Sequence, residues 1–216
     1  MFKQVNVTIL SAIMLSLFCL SVYAQRGNPQ RQRQEAQPST AAAADNGNSF
    51  TDPRDGQTYR TVRIGNNTWM AQNLNYMAID MSCYDNDPSN CAKYGFLYTW
   101  DAAMASCPAG WRLPAIEDWA DLIQAAGDNA IAKLKSRSPD WNGTDDFGFS
   151  ALPGGKRGGL IRRFSNVGDE GYWWSATSRP SIGEMSFATN VNIDSDSNVF
   201  EQGSSRSDAM SVRCIQ

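Results

Sequence analysis

The chain contains no histidine. Histidine is the side chain that most often acts as a general base near neutral pH, and it is also the commonest ligand of transition metals in proteins. Its absence excludes a histidine-based catalytic triad and a histidine-containing zinc site. The chain also has no excess of basic residues, since 19 Lys and Arg stand against 22 Asp and Glu. The composition therefore gives no indication of nucleic-acid binding.

Long apolar runs are scarce, and the clearest one lies near the N-terminus. Lys3 supplies a positive charge, residues 5–22 are mainly apolar, and Val22-Tyr23-Ala24 forms a small-x-small cleavage site before Gln25. This pattern predicts a secretory signal peptide over residues 1–24 and no transmembrane segment in the mature chain. The alternatives are a retained membrane anchor and a lipoprotein site at Cys19, but the phenylalanine before that cysteine is too large for a lipoprotein signal.

The next segment has no apolar periodicity. Residues 25–37 are rich in Gln, Arg, Asn and Pro, and residues 39–48 are mainly small and polar. Such a composition cannot bury enough apolar surface to offset the entropy that folding costs. We therefore predict a disordered linker over residues 25–49 and one folded domain over residues 50–216.

Cysteine is infrequent, and four cysteines remain once the predicted signal peptide is removed. In an exported chain they are expected to form disulfides, and four cysteines allow three pairings. Cys83 and Cys91 are close in sequence and form the local choice, which leaves Cys107 to pair with Cys214. Free or metal-binding cysteines are the competing interpretation, which the lack of histidine and of a Cys-x-x-Cys pair disfavours.

Alternation of apolar and polar residues indicates several strands. Residues 57–64 and 68–71 read as a β-hairpin around the tight turn Gly65-Asn66-Asn67. The glycine-rich run 154–159 lacks the spacing of a phosphate-binding loop and is interpreted as a hairpin loop. Further strands are predicted at 93–98, 171–177, 186–193 and 209–215.

Helical spacing is clearest after Pro114. Apolar residues recur on one face from Ile116 onward, and Gly127 is a natural end, so a helix is predicted between them. Ala115 is a poor N-cap for it. Shorter helices are predicted at 100–106 and after Asp128, whereas the polar stretch between Cys83 and Cys91 is interpreted as a surface loop. Three aromatic side chains are predicted to lie in the core: Trp111, Trp119 and Trp173.

Several motifs together resemble the Fibrobacter succinogenes major paralogous domain family over about residues 50–216. The resemblance implies an exported domain of Gram-negative bacteria, extracellular, at the cell surface or in the periplasm. Arg112 stands where many members carry histidine. The motifs that carry the resemblance are Phe50-Thr-Asp-Pro-Arg-Asp-Gly56, Thr68-Trp-Met-Ala-Gln-Asn-Leu74, Cys107-Pro-Ala-Gly-Trp-Arg-Leu-Pro114, Gly148-Phe-Ser-Ala-Leu-Pro-Gly-Gly155, Gly171-Tyr-Trp-Trp-Ser-Ala-Thr177 and Ser211-Val-Arg-Cys214.

A more distant likeness is carried by Trp111-Arg-Leu-Pro114 followed by Trp119, which is similar to a signature of the formylglycine-generating enzyme group. This likeness implies an α+β, C-type lectin-like fold of twisted β-hairpins with two short-to-medium helices, here stapled by disulfides. The oxidase needs two copper-binding cysteines near its C-terminus, and only Cys214 lies there. The catalytic residues of that group therefore do not carry over.

The function expected from these features is binding or adhesion by an exported, non-catalytic surface or envelope domain, with a polysaccharide as the ligand. The alternative is a structural envelope component with protein partners. A glycoside-acting enzyme is the least favoured class, because no spacing singles out a carboxylate pair. The carboxylates it would draw on are Asp145, Asp146, Glu117 and Asp169. No catalytic residue and no cofactor is assigned.

A ligand site is predicted on the long polar segment 141–149, because loops on a rigid scaffold commonly carry binding residues. Trp141 would offer a ring face, and the alternative is that this ring fills the core. Four basic residues on a neighbouring hairpin would meet an anionic group: Lys156, Arg157, Arg162 and Arg163. The remaining candidates, Asn142, Asp145 and Asp146, would supply hydrogen-bond acceptors.

Calcium is the one metal that these oxygen-rich segments would suit. Asp145 and Asp146 are possible ligands, as are Asp80, Asp85 and Asp87 around the first cysteine pair. The same residue types are also what turns ordinarily use, so calcium is kept only as an option.

Overall fold

The structure, a computed structural model, describes residues 48–138 and 141–216. The predicted signal peptide lies outside these residues, as does the predicted linker except for its last two positions. Ten strands occur in the described ranges: β1 Ser49–Thr51, β2 Thr58–Ile64, β3 Asn67–Met70, β4 Met81–Ser82, β5 Leu97–Tyr98, β6 Gly154–Arg157, β7 Phe164–Val167, β8 Glu170–Ile182, β9 Met185–Asp194 and β10 Val199–Ser205. Four α-helices accompany them: α1 Pro88–Tyr94, α2 Trp100–Ser106, α3 Ile116–Ala126 and α4 Ala130–Leu134.

The strands form three sheets, which makes the domain a mixed α+β structure. The first sheet has the order β1-β2-β3, the second has the order β10-β9-β8-β6-β7, and β4 pairs with β5. All neighbours are antiparallel except β6 and β8, which meet in parallel where Gly155 faces Gly171. The β2–β3 hairpin confirms the one predicted from alternation, and β8 and β9 confirm the strands predicted over 171–177 and 186–193.

Residues 209–215, here called the C-terminal segment, connect these sheets. The sequence predicts a strand here, but the segment makes isolated bridges to different neighbours because it crosses from one sheet to the next. Its bridge partners, in order, are Arg157, Tyr98, Trp173, and at Ile215 both Trp69 and Arg112. Between these bridges, Leu74 N–H donates to the Val212 carbonyl and Met70 N–H donates to the Cys214 carbonyl.

Both predicted disulfides are present. Cys83 is bonded to Cys91, and Cys107 is bonded to Cys214. The first bond joins residues 8 apart, whereas the second joins residues 107 apart and ties the segment before α3 to the C-terminal segment.

Two large apolar clusters form the core. One lies under α3 and α4 and contains Trp69, Trp119 and Trp173, while the other lies against α2 and contains Trp111 and Trp174. Trp119 packs at 5.0 Å from Trp69 and 6.1 Å from Trp173, measured between ring centroids. The three tryptophans predicted for the core are therefore buried there.

Helix α3 begins without a side-chain cap from its own N-cap residue, Ala115. Other residues replace that cap. The Ile116 N–H donates to the Thr177 hydroxyl of β8 at 3.1 Å, and the Ala115 N–H donates to the Asp118 carboxylate at 2.7 Å. The helix ends at Gly127, whose φ of 68° is costly for residues with a Cβ. The hydrogen bond to Thr177 therefore makes the start of α3 depend on packing against β8.

Three local predictions need correction. The segment between Cys83 and Cys91 is not only a loop, because it contains the first turn of helix α1. Asp87 caps this helix by accepting the Ser89 N–H at 2.9 Å, and Pro88 occupies its first turn. The strand predicted over 93–98 shrinks to β5 for the same reason. The cap of α4 is Asn129, one residue after the predicted Asp128.

The glycine-rich run 154–159 was interpreted as a hairpin loop, but its first four residues form strand β6 between β7 and β8. Glycine is required there for space. A Cβ on Gly155 would lie 2.5 Å from the Ser165 carbonyl oxygen and 2.8 Å from Cε2 of Tyr84. The glycines therefore allow three strands to approach closely, which the propensity of glycine for turns concealed.

Candidate binding groove

A groove of about 580 Å³ opens where β6, the start of α2 and the β8–β9 turn meet. We call it the arginine groove because three arginines line it. Its chemistry is almost wholly polar, and Met185 is its one large apolar lining residue. The full lining consists of Asp80, Thr99, Asp101, Arg157, Gly159, Arg162, Glu184, Met185, Ser186, Ser205, Arg206 and Ser207.

Arg157 forms the buried part of this groove. Its backbone is paired with Ala209 through two hydrogen bonds, since its N–H donates to the Ala209 carbonyl at 2.9 Å and its own carbonyl accepts the Ala209 N–H at 2.7 Å. Its side chain is only 4% exposed. Strand β6 is thus held by the C-terminal segment, which places a guanidinium at the base of the groove.

The guanidinium of Arg157 is incompletely satisfied. Nη1 donates to the Ser82 hydroxyl at 3.2 Å, whereas the buried Nε has no hydrogen-bond partner in the part of the chain that the structure describes. Burial lowers the pKa of Arg157, the charge of Arg162 lowers it further, and Asp80 and Asp208 act in the opposite direction. Arginine nevertheless stays protonated in proteins, so a positive charge is buried without a carboxylate partner.

Arg206 is positioned by an aromatic ring. Its guanidinium carbon lies 4.0 Å from the centroid of the Trp100 ring, and its Nε donates to the Phe187 carbonyl at 3.3 Å. Trp100 is itself fixed, because its indole N–H donates to the Ser175 carbonyl at 2.8 Å. The stacked arginine therefore keeps a defined place on the wall of the groove.

The third arginine, Arg162, lies on the exposed loop between β6 and β7. Two hydrogen bonds hold this loop: Gly158 N–H donates to the Arg163 carbonyl at 2.8 Å, and Gly159 N–H donates to the Asp208 carboxylate at 2.7 Å. Of the four basic residues predicted to meet an anionic group, Arg157 and Arg162 line the groove, whereas Lys156 does not. Arg163 is exposed on the same loop but is not part of the lining.

The groove also carries acceptors. Asp80, Asp101 and Glu184 contribute carboxylates, and four lining residues contribute hydroxyl groups. Among residues 48–138 and 141–216, no nitrogen of the three groove arginines lies within 4.0 Å of a carboxylate oxygen. Charged groups of both signs are therefore free to bind a ligand.

The ligand site predicted on residues 141–149 is arranged differently. Trp141 has no exposed surface, its indole N–H donates to the Ala151 carbonyl at 2.9 Å, and Lys135 Nζ lies 4.3 Å from its ring centroid. The ring thus lies in the core, which is the alternative that the sequence left open, and it offers no face to a ligand. The physical reason is that its indole N–H satisfies a buried carbonyl.

The other candidates of that segment are not brought together with the arginines. Asp145 accepts hydrogen bonds from both the N–H and the hydroxyl of Ser150, each at 2.7 Å, which shapes the turn before β6. Asn142 is exposed, and Asp146 is exposed in a shallow hollow beside Arg137. None of these residues lines the arginine groove.

The sequence pointed to Arg157 as a possible anion-binding residue but not to Arg206 or Asp101. Arg206 and Asp101 had no signal of their own, because they meet only through long-range pairing.

A second cavity, of about 310 Å³, lies between β2 and α1 with Arg60, Asn73 and Lys93 among its lining residues. Its floor is already satisfied. The Asn73 side-chain oxygen accepts from Trp173 Nε1 at 2.9 Å and from Arg213 Nε at 3.1 Å, and its amide donates to the Tyr94 carbonyl at 2.8 Å. The arginine groove is therefore the stronger candidate for a site.

The described part of the chain contains neither a cluster of metal ligands nor a membrane-spanning helix. There, no group of three or more His, Cys, Asp or Glu residues is arranged to hold a metal ion. Within the same residues, no helix is both long and apolar enough to cross a membrane.

Comparison with known proteins identifies the family. The model of the Fibrobacter succinogenes major domain matches residues 62–216, a range that begins within β2 and includes both disulfides and the whole arginine groove. No curated protein and no solved structure matches the chain. Since the match covers well over half of the chain, the protein belongs to the Fibrobacter succinogenes major domain family.

Proposed function

We propose that the chain is an exported, non-catalytic binding domain whose ligand is a glycan held in the arginine groove. The observation that carries this proposal is the lining of the groove, in which guanidinium, carboxylate and hydroxyl groups are not consumed by ion pairs with one another. Export is supported by the signal-peptide pattern and by the two disulfides.

A sugar suits this lining because each of its hydroxyls both donates and accepts hydrogen bonds. Carboxylates such as Asp101 and Glu184 accept from sugar hydroxyls, whereas the arginines donate to them. Protein side chains held by strands and by the stacked Trp100 keep these groups in place, which reduces the ordering cost of binding.

The fold that we propose for the domain is C-type lectin-like. Three features support it: β-hairpins packed with short helices, a C-terminal segment that pairs with β3 near the start of the domain, and a disulfide that closes 107 residues. In such an arrangement, long connections lie on a fixed scaffold, as is usual for binding sites.

The non-catalytic part of the proposal rests on where the carboxylates lie. The groove is not lined by any of the four acidic residues on which a glycosidase hypothesis would depend, which are Asp145, Asp146, Glu117 and Asp169. Asp145 is held by Ser150. These four carboxylates therefore do not flank the proposed ligand, and the carboxylates that do line the groove, Asp80, Asp101 and Glu184, are proposed to accept hydrogen bonds from it.

Affinity electrophoresis and calorimetry of the purified chain against a panel of soluble plant and envelope polysaccharides test this function. We expect at least one polysaccharide to bind without being cleaved, and Asp101→Asn to weaken that binding. The matched control is Asp121→Asn, which alters an exposed carboxylate on α3 outside the groove. The proposal is wrong if no polysaccharide binds or if both variants behave alike.

A protein partner is the second candidate, and one observation favours it. Loops beside the groove expose large apolar side chains, with Leu160 96% and Ile161 74% exposed. Exposed aliphatic residues of this size often mark protein interfaces. If an envelope protein is the partner, Leu160→Ser with Ile161→Ser should abolish its capture while leaving glycan binding intact, and Val199→Ser on β10 should change neither.

A further inference from the structure

We infer that the arginine groove selects an acidic sugar, whose carboxylate is bound by the guanidinium of Arg157 with help from Arg162. This inference rests on the proposed glycan-binding function and adds the chemical class of the ligand, a uronate. It follows from the donors of Arg157 that remain free, from its burial and from the balance of charge around it.

The free donors of Arg157 form a carboxylate-binding edge. Nη1 donates to the Ser82 hydroxyl. Nε and Nη2, in contrast, donate no hydrogen bond to the residues that the structure describes. Nε–H and Nη2–H lie on the same edge of the planar guanidinium and point in parallel. A carboxylate has two oxygens with the matching spacing, which permits a bidentate pair.

Burial makes this edge a favourable place for an anion. A charged donor removed from water is destabilising unless an acceptor replaces the lost solvent, and Nε of Arg157 has none among residues 48–138 and 141–216. A carboxylate supplies both the acceptor and the opposite charge. Because Nε is itself covered, the two-point contact requires a small shift of the side chain toward the groove.

The charge balance of the lining restricts the anion to one that is sparsely charged. Three arginines, Arg157, Arg162 and Arg206, are offset by three carboxylates, those of Asp80, Asp101 and Glu184. A densely sulfated chain would be repelled by these carboxylates. A uronate has one carboxylate that can bind the arginines and several hydroxyls that can donate to the acidic residues. It therefore offers a partner to the groove residues of both charges.

Polygalacturonate and its fully methyl-esterified form are the matched pair of probes, because esterification removes the charge and leaves the sugar hydroxyls. We expect esterification to weaken binding of the full chain by about 10- to 100-fold, the loss of a charge-assisted hydrogen-bonded pair. A neutral galactan and a densely sulfated glycan complete the panel, and both should bind more weakly than polygalacturonate.

Substitutions test whether Arg157 is the residue that causes the preference for polygalacturonate over its ester. Arg157→Lys keeps the charge but loses the parallel donors, so it should reduce the preference for polygalacturonate over its ester by roughly tenfold. Arg63→Lys, on the exposed face of β2, is the matched control and should leave the preference unchanged. If Arg157→Lys fails to fold, Arg162→Gln on the exposed loop carries the same comparison, with a reduced preference expected.

The outcomes separate the two proposals. Equal binding of polygalacturonate and its ester, or tighter binding of the neutral galactan, overturns the uronate inference while the glycan-binding function stands. Tighter binding of the sulfated chain also overturns the uronate inference, since the carboxylates of Asp80, Asp101 and Glu184 should repel such a ligand. Absence of binding to every glycan overturns both.

Discussion

Three buried basic side chains differ in how fully their N–H groups are satisfied. Lys135 donates from Nζ to the carbonyls of Asp194 and Ser195 and to the Ser197 hydroxyl, at 2.8–3.1 Å. Arg213 is likewise bonded throughout, to backbone carbonyls and to Asn73. Arg157 alone among the three keeps a buried nitrogen without a partner in the described residues. At the residue scale, two of these cations stabilise the fold and one is available for binding.

Loss of the Arg213 side chain is expected to destabilise the domain. Arg213→Leu should lower the free energy of unfolding by about 2–4 kcal/mol, because it leaves the Asn73 oxygen and the carbonyls of Met70 and Phe149 buried with fewer donors. Urea denaturation measures this loss. Burial lowers the pKa of Arg213 to about 9, and the charge of Arg60 adds to that effect, so the charge is destabilised by its removal from water.

Arg63→Leu is the control for that measurement. Its side chain is exposed on β2, so the change should stay within about 0.5 kcal/mol of the parent chain. Similar losses in the two variants would show that the Arg213 network contributes no more than an ordinary surface residue.

At the scale of elements, helix α3 shows that tertiary packing can replace a missing local signal. The first helical N–H groups would ordinarily be capped by the side chain of residue 115, but Ala115 has none, and Thr177 from β8 accepts the Ile116 N–H instead. The cap therefore forms only when β8 is in place. Folding of α3 is in this way coupled to folding of the five-stranded sheet.

Ala115→Ser should therefore stabilise the domain by about 0.5–1 kcal/mol, because a serine hydroxyl accepts an N–H of the first turn while the existing Thr177 contact remains. Residue 115 already has the extended backbone of an N-cap, with φ −74° and ψ 170°. Differential scanning calorimetry would show the gain as a higher melting temperature. Ala120→Ser, exposed within the same helix, should give no gain, and an equal rise there would contradict the capping argument.

The elements that sequence predicted correctly are those whose signal is local. The periodicity from Ile116 to Gly127 defines α3, and alternation around Gly65 defines the β2–β3 hairpin. Helix α1 also had a local signal in Asp87 and Pro88, but its seven residues are too few for a periodic apolar face. The flanking cysteines favoured a loop, and the helix was missed.

The candidate site was predicted less well than the fold. Arg157 and Arg162 were recognised as possible anion-binding residues. Trp141 was a ligand candidate, with burial in the core as the alternative, because an isolated tryptophan in a polar segment resembles a sugar platform. The structure buries that ring through a hydrogen bond to Ala151, ten residues away. Arg157 and Arg206 come together only through pairings between distant parts of the chain, which composition and spacing do not reveal.

For the whole molecule, the two disulfides have unequal importance. On the chain-entropy model, closing the 107-residue loop contributes about 5 kcal/mol and closing the short loop about 2.5 kcal/mol. The double variant Cys107→Ser with Cys214→Ser should therefore lose roughly twice the unfolding free energy of Cys83→Ser with Cys91→Ser. Urea denaturation of both variants, compared with the parent, measures the difference. A greater loss from the short bond would contradict the assignment of the long bond as the main constraint.

The C-terminal segment has a further consequence for synthesis. The chain emerges from the ribosome with its N-terminus first. Residues 48–208 therefore emerge before the C-terminal segment, which bridges Trp69, Tyr98 and Trp173. Those three residues belong to three different sheets, and each sheet lacks its bridge to the C-terminal segment until residues 209–215 have been synthesised. A nascent chain paused before residue 209 therefore presents several unpaired strand edges at once, a state that is prone to aggregation and to capture by chaperones. Completion of the domain is in this sense a single event, timed by its last residues.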